Sequence, residues 1–203
     1  MYLPEGSYEA LCVTGDTGDI QVEKSFAFSD IDLSLTTGSI HCLAPASNGV
    51  RLKTSTGSIQ AENISAGSMD LSVTTGRITL SGITCDGDMG ISTSTGKVSI
   101  TDATCQNLKS QGSTGDLDLE NVTVGDRLSL ERSTGDIQLD RCDAGEIFIQ
   151  TDTGDISGTL LSPKVFLAQS DTGHVRVPKT ASGGRCELTT DTGSIIMDIV
   201  GLY

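Results

Sequence analysis

Ser55-Thr56-Gly57-Ser58-Ile59 and Asp152-Thr153-Gly154-Asp155-Ile156 are two copies of one five-residue pattern, and following that pattern along the chain decides the fold. The Thr-Gly pair recurs as Thr17-Gly18, Thr37-Gly38, Thr56-Gly57, Thr75-Gly76, Thr95-Gly96, Thr114-Gly115, Thr134-Gly135, Thr153-Gly154, Thr172-Gly173 and Thr192-Gly193. Successive glycines stand 19 or 20 residues apart, so ten copies cover almost all of the 203-residue chain. A fixed period of that length marks a repeat architecture.

Working outward from each Gly, the residue two positions on is Ile, Val or Leu, from Ile20 and Ile40 to Val175 and Ile195. Seven residues before the Gly stand apolar residues such as Leu11, Ile31, Val50, Met69 and Phe166, and five before it Val13, Leu33, Leu52, Leu71 and Ala168. Both flanks alternate with period two, which predicts strands with one buried face. The irregular spacing falls in the other turn, which holds Ala66-Gly67, Asp86-Gly87, Val124-Gly125 and Ala144-Gly145.

Two strands and two turns in 19–20 residues are too short for helices or separate domains. The chain is therefore expected to be all-β: a single parallel β-solenoid (β-helix) of about ten coils stacked about 4.8 Å apart, forming a narrow continuous core and a rod of roughly 48 Å. One domain is expected over residues 1–203, with coils from about 11 to 198 and short end segments. The crossover rule makes the coil right-handed. Each corner Gly is expected at positive φ. The preceding Thr has inward parity, with its hydroxyl on backbone groups and its methyl on the next Thr. Pro4 and Gly6 at one end, and Ile196 to Tyr203 at the other, are the candidate caps.

Composition excludes several classes. Thirteen Lys+Arg against 27 Asp+Glu give a net charge of −14, which would repel nucleic acid. No run of about 18 apolar residues and no charged-then-apolar leader is present, so no membrane insertion by this chain is expected. Aromatics are only 3% of the residues, which suits a thin interior filled by small branched side chains.

Motifs that look chemical are better read as parts of the repeat. Asp-Thr-Gly occurs at Asp16, Asp152, Asp171 and Asp191, but other coils place Ser or Thr there, so the aspartic-protease reading yields to a corner variant. Asp116, Asp136 and Asp155 just after the Gly, with Asp152, Asp171 and Asp191 just before the Thr, line up carboxylates that a hard cation such as calcium would relieve; the alternative is solvated turn caps. His41 and His174 lie about seven coils, roughly 34 Å, apart and cannot share a metal. Cys42, Cys142 and Cys186 read as buried thiols. Cys85 and Cys105 occupy one offset in adjacent coils, within disulfide reach, with the reduced state expected. That usage suits a reducing cell interior or an anaerobic habitat. Arg51 with Lys53 fits a sugar acid or an ordinary solvated face, and Phe148 with Leu167 predicts a small apolar spot on neighbouring coils.

The ten Thr-Gly-x-Ile corners, with Ser-Thr-Gly-Asp or Ser-Thr-Gly-Ser, resemble the bacterial adhesin family of β-strand-repeat (β-solenoid) proteins over roughly residues 11–198. The resemblance implies a cell-envelope or extracellular location and carries no catalytic residues; a cytoplasmic place stays open because the chain shows no anchor.

Three functions remain in play. The first is a noncatalytic structural or interaction module at the cell surface that binds a protein or a glycan. The second is a carbohydrate-active β-helix enzyme, against which the short connections argue because they cannot wall a groove. The third is a self-assembling scaffold that associates end to end through unpaired strand edges. No catalytic residue, no cofactor and no histidine metal site is expected.

Overall fold

The computed structural model describes residues 6–200. It is all-β, with fifteen strands: β1 (Gly6–Thr17), β2 (Ile20–Val22), β3 (Phe26–Thr37), β4 (Ile40–Cys42), β5 (Ala46–Glu62), β6 (Ser65–Cys85), β7 (Asp88–Thr95), β8 (Val98–Thr114), β9 (Leu117–Thr134), β10 (Ile137–Thr153), β11 (Ile156–Leu160), β12 (Lys164–Thr172), β13 (Val175–Arg176), β14 (Gly184–Thr192) and β15 (Ile195–Ile199). Every pairing is parallel and stacks equivalent repeat positions, for example Leu52 on Leu71 and Ile59 on Ile78. The described chain is a β-solenoid of about ten coils, numbered below by their Thr-Gly corners.

The inward columns make one continuous core. Leu33, Leu52, Leu71, Ile91, Leu130, Ile149 and Leu188 stack on one side, and Ile40, Ile59, Ile78, Val98, Leu117, Ile137, Ile156 and Ile195 on the other, all buried. A fully buried aliphatic side chain of this kind contributes about 1.5–3 kcal/mol. A coil alone buries none of them.

The corner glycines are held by the coil below. Gly76 sits at φ 151°, and a Cβ there would lie 1.6 Å from the Gly57 carbonyl oxygen. Only glycine fits. The Gly96 N–H donates to the Thr114 carbonyl at 2.8 Å, so it is the backbone of Thr-Gly that ladders the corners. The Thr side chains, expected inside, are exposed in every coil. The ladder skips the residue before each Thr, as Ser55 is skipped between Thr54↔Val73 and Thr56↔Thr75, and strict alternation stops there. The inward polar role falls three residues before the Gly, where Thr54 Oγ1 donates to the Gly38 carbonyl at 3.0 Å and Thr190 Oγ1 to the Gly154 carbonyl at 3.0 Å.

The coil also bends at a third place. Six residues after the corner, Asn63, Gly82, Asp102, Asn121 and Arg141 all have φ between 52° and 65°. Asn and Asp tolerate this left-handed conformation best among non-glycine residues. A short third side follows, burying Ile64, Ile83, Ala103, Val122 and Cys142. The one-residue irregularities fall just beyond it, as bulges at Ala46/Gly49, Cys105/Asn107 and Ala144/Glu146.

The coils do not stack in chain order at the C-terminal end. β10 of coil 8 pairs with β14 of coil 10, and β14 pairs in turn with β12 of coil 9. The corner bonds agree: the Gly154 N–H donates to Thr192, and the Gly193 N–H donates to Thr172. The chain passes over one rung at residues 161–163, winds coil 9 as the outermost coil, and returns through residues 177–183 to fill the gap with coil 10. Consequently Ile195, Met197 and Ile199 line an internal rung rather than a cap. Pro4 and residues 201–203 lie outside the described residues.

Candidate functional site

The predicted corner acids are engaged with backbone. Asp116 Oδ1 accepts from the Asp136 N–H at 3.2 Å, Asp136 Oδ1 from the Asp155 N–H at 2.8 Å, and Asp155 Oδ1 from the Ser194 N–H at 2.7 Å. Each carboxylate thus satisfies the next rung's turn. The coil exchange stacks Asp152, Asp191 and Asp171 on consecutive rungs, all exposed. Among the described residues, no three His, Cys, Asp or Glu side chains converge as a metal site. His41 and His174 are eight rungs apart, one more than chain order suggests, because coil 9 is outermost.

All six cysteines are free thiols; Cys12 is exposed and the others are buried. Burial pushes Cys105 and Cys186 up to about 12 and Cys142 to about 11, with Cys85 beside Cys105 adding to its rise. These thiols are protonated at neutral pH, which makes them poor nucleophiles. Arg51 lies 3.8 Å from Asp32 and 3.5 Å from Asp70, an ordinary surface network rather than an open anion site. Phe148 and Leu167 are not neighbours: Glu187 of coil 10 stands between them. Arg127 lies over the Phe148 ring, 4.0 Å from its centroid.

The face of coils 5–8 carries two adjoining hollows. A polar trough of about 420 Å³ runs across four rungs, lined by Ser92, Ser94, Gln111, Ser113, Glu131, Ser133, Gln150 and Asp152, with Thr93, Gly112 and Arg132 between those columns. A second hollow of about 500 Å³, shared at Glu131, opens where Gly90 lacks a side chain in a row that also holds Lys109 and Ser129. Gln111 Nε2 donates to Glu131 Oε2 at 2.7 Å, fixing both groups along the trough. Hydroxyls, amides and carboxylates alternate here at the rung spacing.

Arg132 was not legible as part of this region from strand periodicity. It occupies an inward position and is only 3% exposed, with Nη2 donating to Ser110 Oγ at 3.0 Å and Nη1 to the Glu131 carbonyl at 2.8 Å. Its Nε has no partner, and neither has the buried Thr93 Oγ1. Burial lowers its pKa to about 10, which still leaves it charged at neutral pH. The signal that would have revealed it is in coil 6, where Ser110 and Gly112 stand at two successive inward positions. They vacate the volume that the guanidinium takes.

A second buried cation marks the coil exchange. Lys164 Nζ lies 2.6 Å from Asp143 Oδ1 and 2.6 Å from Ser162 Oγ. Gly184 pairs with Lys164 on one side and lies so close to Gly145 on the other that a Cβ would stand 1.8 Å from the Gly145 carbonyl oxygen. Burial alone would raise Asp143, but Lys164, Ser162 and the Ala144 N–H together hold its carboxyl below the ordinary value.

A stacked parallel β rod of this kind is a structural or interaction module in class. The Toastrack DUF4097 family model matches residues 1–92 and 86–201, and the chain belongs to that family. That is a β-repeat family and not a known enzyme family. No curated protein and no solved structure matches the chain. Among the described residues, no helix is long and apolar enough to cross a membrane.

Proposed function

We propose that this chain is a noncatalytic, adhesin-like rod of the bacterial cell envelope that binds a protein or a glycan with the polar face of coils 5–8. The observation that carries the reading is the trough over four rungs, where two outward columns from Ser92 to Asp152 hold hydroxyl, amide and carboxylate groups on a backbone that every flanking coil stiffens. Such a surface needs no ordering on binding, so little conformational entropy is lost. Polar groups repeating at the rung spacing suit an extended chain with its own polar repeat.

The test is a glycan array and a pull-down from envelope extract with the purified rod, compared with a Gln111→Ala/Glu131→Ala/Gln150→Ala triple variant. These side chains are exposed, so the variant should keep its circular dichroism and melting temperature while losing at least tenfold in affinity for whatever the wild type captures. A wild type that retains nothing, or a variant that binds unchanged, overturns the reading.

A further inference from the structure

The two terminal coils differ from every coil between them, and the differences match one another. β1 and β2 of coil 1 pair only with β3 and β4, and β12 and β13 of coil 9 pair only with β14 and β15, so among the described residues each end leaves a parallel strand edge open. Such an edge presents N–H and C=O groups at the spacing another rung requires.

Side chains decide which rung would fit. Eight and six residues before the corner glycine, the outward positions of every intervening coil include at least one polar or charged residue; only coil 1, with Ala10 and Cys12, and coil 9, with Val165 and Leu167, are apolar at both. Val165 is 38% and Leu167 51% exposed, an unusual state for two adjacent outward aliphatics. Inside the same coils, Leu11 and Val13 at one end and Phe166 and Ala168 at the other are only half-buried against the core, because each lacks a neighbour on one side.

Charge points the same way. Residues 6–24 carry Glu9, Asp16, Asp19 and Glu23 against Lys24, net −3. In coil 9, Lys164 is buried against Asp143 and Arg176 is paired with Asp198, which leaves Lys179 against Asp171 and no net charge at that end. Two coil-1 ends would repel each other, whereas coil 9 presents no net charge to coil 1.

We propose that this open end is a docking surface for a second copy of the same chain, joined head to tail, so that β1–β2 of one copy adds as the next rung on β12–β13 of another. Register follows from the corners: Thr17-Gly18 stacks on Thr172-Gly173, which sets Ala10 over Val165, Cys12 over Leu167 and Asp19 over His174. Asp16 over Asp171 is the like-charge contact the union tolerates. The joint continues the solenoid, so it needs no new geometry and repeats into a filament.

Cys12 supplies the test, being the chain's one exposed thiol. In a Leu167→Cys variant the joint places two thiols at paired positions about 4.8 Å apart between Cα atoms, inside the disulfide range. Mild oxidation of the full chain should give a ladder of dimers, trimers and higher multimers on a non-reducing gel. The ladder should vanish in Cys12→Ser/Leu167→Cys. A dimer band that survives in that double variant means tail-to-tail pairing and overturns the proposal. So does a wild type that scatters light at its monomer mass of 21.1 kDa at every concentration. Val165→Lys/Leu167→Lys, at exposed sites, should melt like the wild type and scatter as a monomer; if its mass still rises with concentration, the joint lies elsewhere. Ligand capture by the trough is measured on that monomeric variant, so failure of one reading is separable from failure of the other.

Discussion

Coils 4 and 5 and coils 9 and 10 are built from the same repeat, yet the first pair stacks in chain order and the second pair trades places. Coils 4 and 5 offer each other equivalent fillers, Leu71 with Ile91 and Ile78 with Val98, and a short third side carries the chain up one rung. Coil 9 offers Phe166, Ala168 and Ser170 as inward residues and then Pro178-Lys179-Thr180, where coils 3–7 bury Ile64, Ile83, Ala103, Val122 and Cys142. Coil 10 offers Cys186, Leu188, Thr190, Ile195, Met197 and Ile199, each buried. The better-filled coil takes the internal rung and the poorer one the end. Periodicity sets which residues can stack; rung-to-rung packing and connection length set the order in which they do.

The largest effects that distinguish a supported corner from an open one come from glycine. Gly76→Ala would press a Cβ to 1.6 Å from a backbone carbonyl at φ 151°, and should cost about 4 kcal/mol or more, seen as a large fall in denaturant midpoint. At Gly18, on the open edge of an isolated copy, a Cβ meets nothing within 4 Å, so in the monomeric Val165→Lys/Leu167→Lys background Gly18→Ala carries only the conformational cost, about 1–2 kcal/mol. Equal losses would mean that rung contacts contribute nothing to the glycine requirement.

Next in size is the ion pair at the exchange. Lys164→Met leaves Asp143 partly buried without its cation and should cost about 3 kcal/mol. Hydrogen exchange should show the loss first in residues 160–184, while coils 3–7 stay protected. Restoring neutrality with Asp143→Asn/Lys164→Met should recover most of it. The acid limb gives a smaller reading of the same pair. The folded Asp143 pKa lies below its ordinary 3.8, so the unfolded chain takes up the proton first as pH falls. Its stabilisation is complete above pH 3.8 and disappears as pH drops through the lower folded value. In Lys164→Met that component of acid sensitivity should be much reduced.

The architecture is legible because each coil repeats a glycine that only one backbone conformation explains, and inward columns that only stacking can bury. Three features were not. The bend at Asn63, Gly82, Asp102, Asn121 and Arg141 is spread over four residue types, so no single letter announces it, although four of the five favour a left-handed backbone. The exposed Thr side chains look inward by alternation, which a corner interrupts. The exchange of coils 9 and 10 leaves the period at 19–20 and so hides in it. The candidate face is only partly visible: Lys109, six residues before its corner glycine, and Gln111, Glu131 and Gln150, four before theirs, are outward and polar by alternation, but the hollows depend on Gly90 and Gly112 lacking side chains beside larger neighbours.

Arg132 gives the smallest expected effect on stability and the sharpest contrast with Lys164. Both are buried cations in a narrow core, but Lys164 meets a carboxylate, whereas Arg132 meets a hydroxyl and a carbonyl and leaves Nε unpartnered. A buried charge without a counter-ion costs more in lost hydration than two neutral hydrogen bonds return. Met has a similar reach and no such cost, so Arg132→Met should change stability by no more than about 1 kcal/mol, in the stabilising direction. The pH dependence has a definite sign. Burial holds the folded pKa at about 10, below the ordinary guanidinium value, so the folded chain sheds this proton first, and the penalty carried by the wild type is relieved as pH rises above that value. The gap between wild type and variant should therefore close above pH 10. A large loss of stability in Arg132→Met would make the guanidinium a structural pin like Lys164. A gain in stability accompanied by weaker ligand capture at the trough would mean that this cation is kept at the cost of folding free energy, to hold the binding face of coils 5–8.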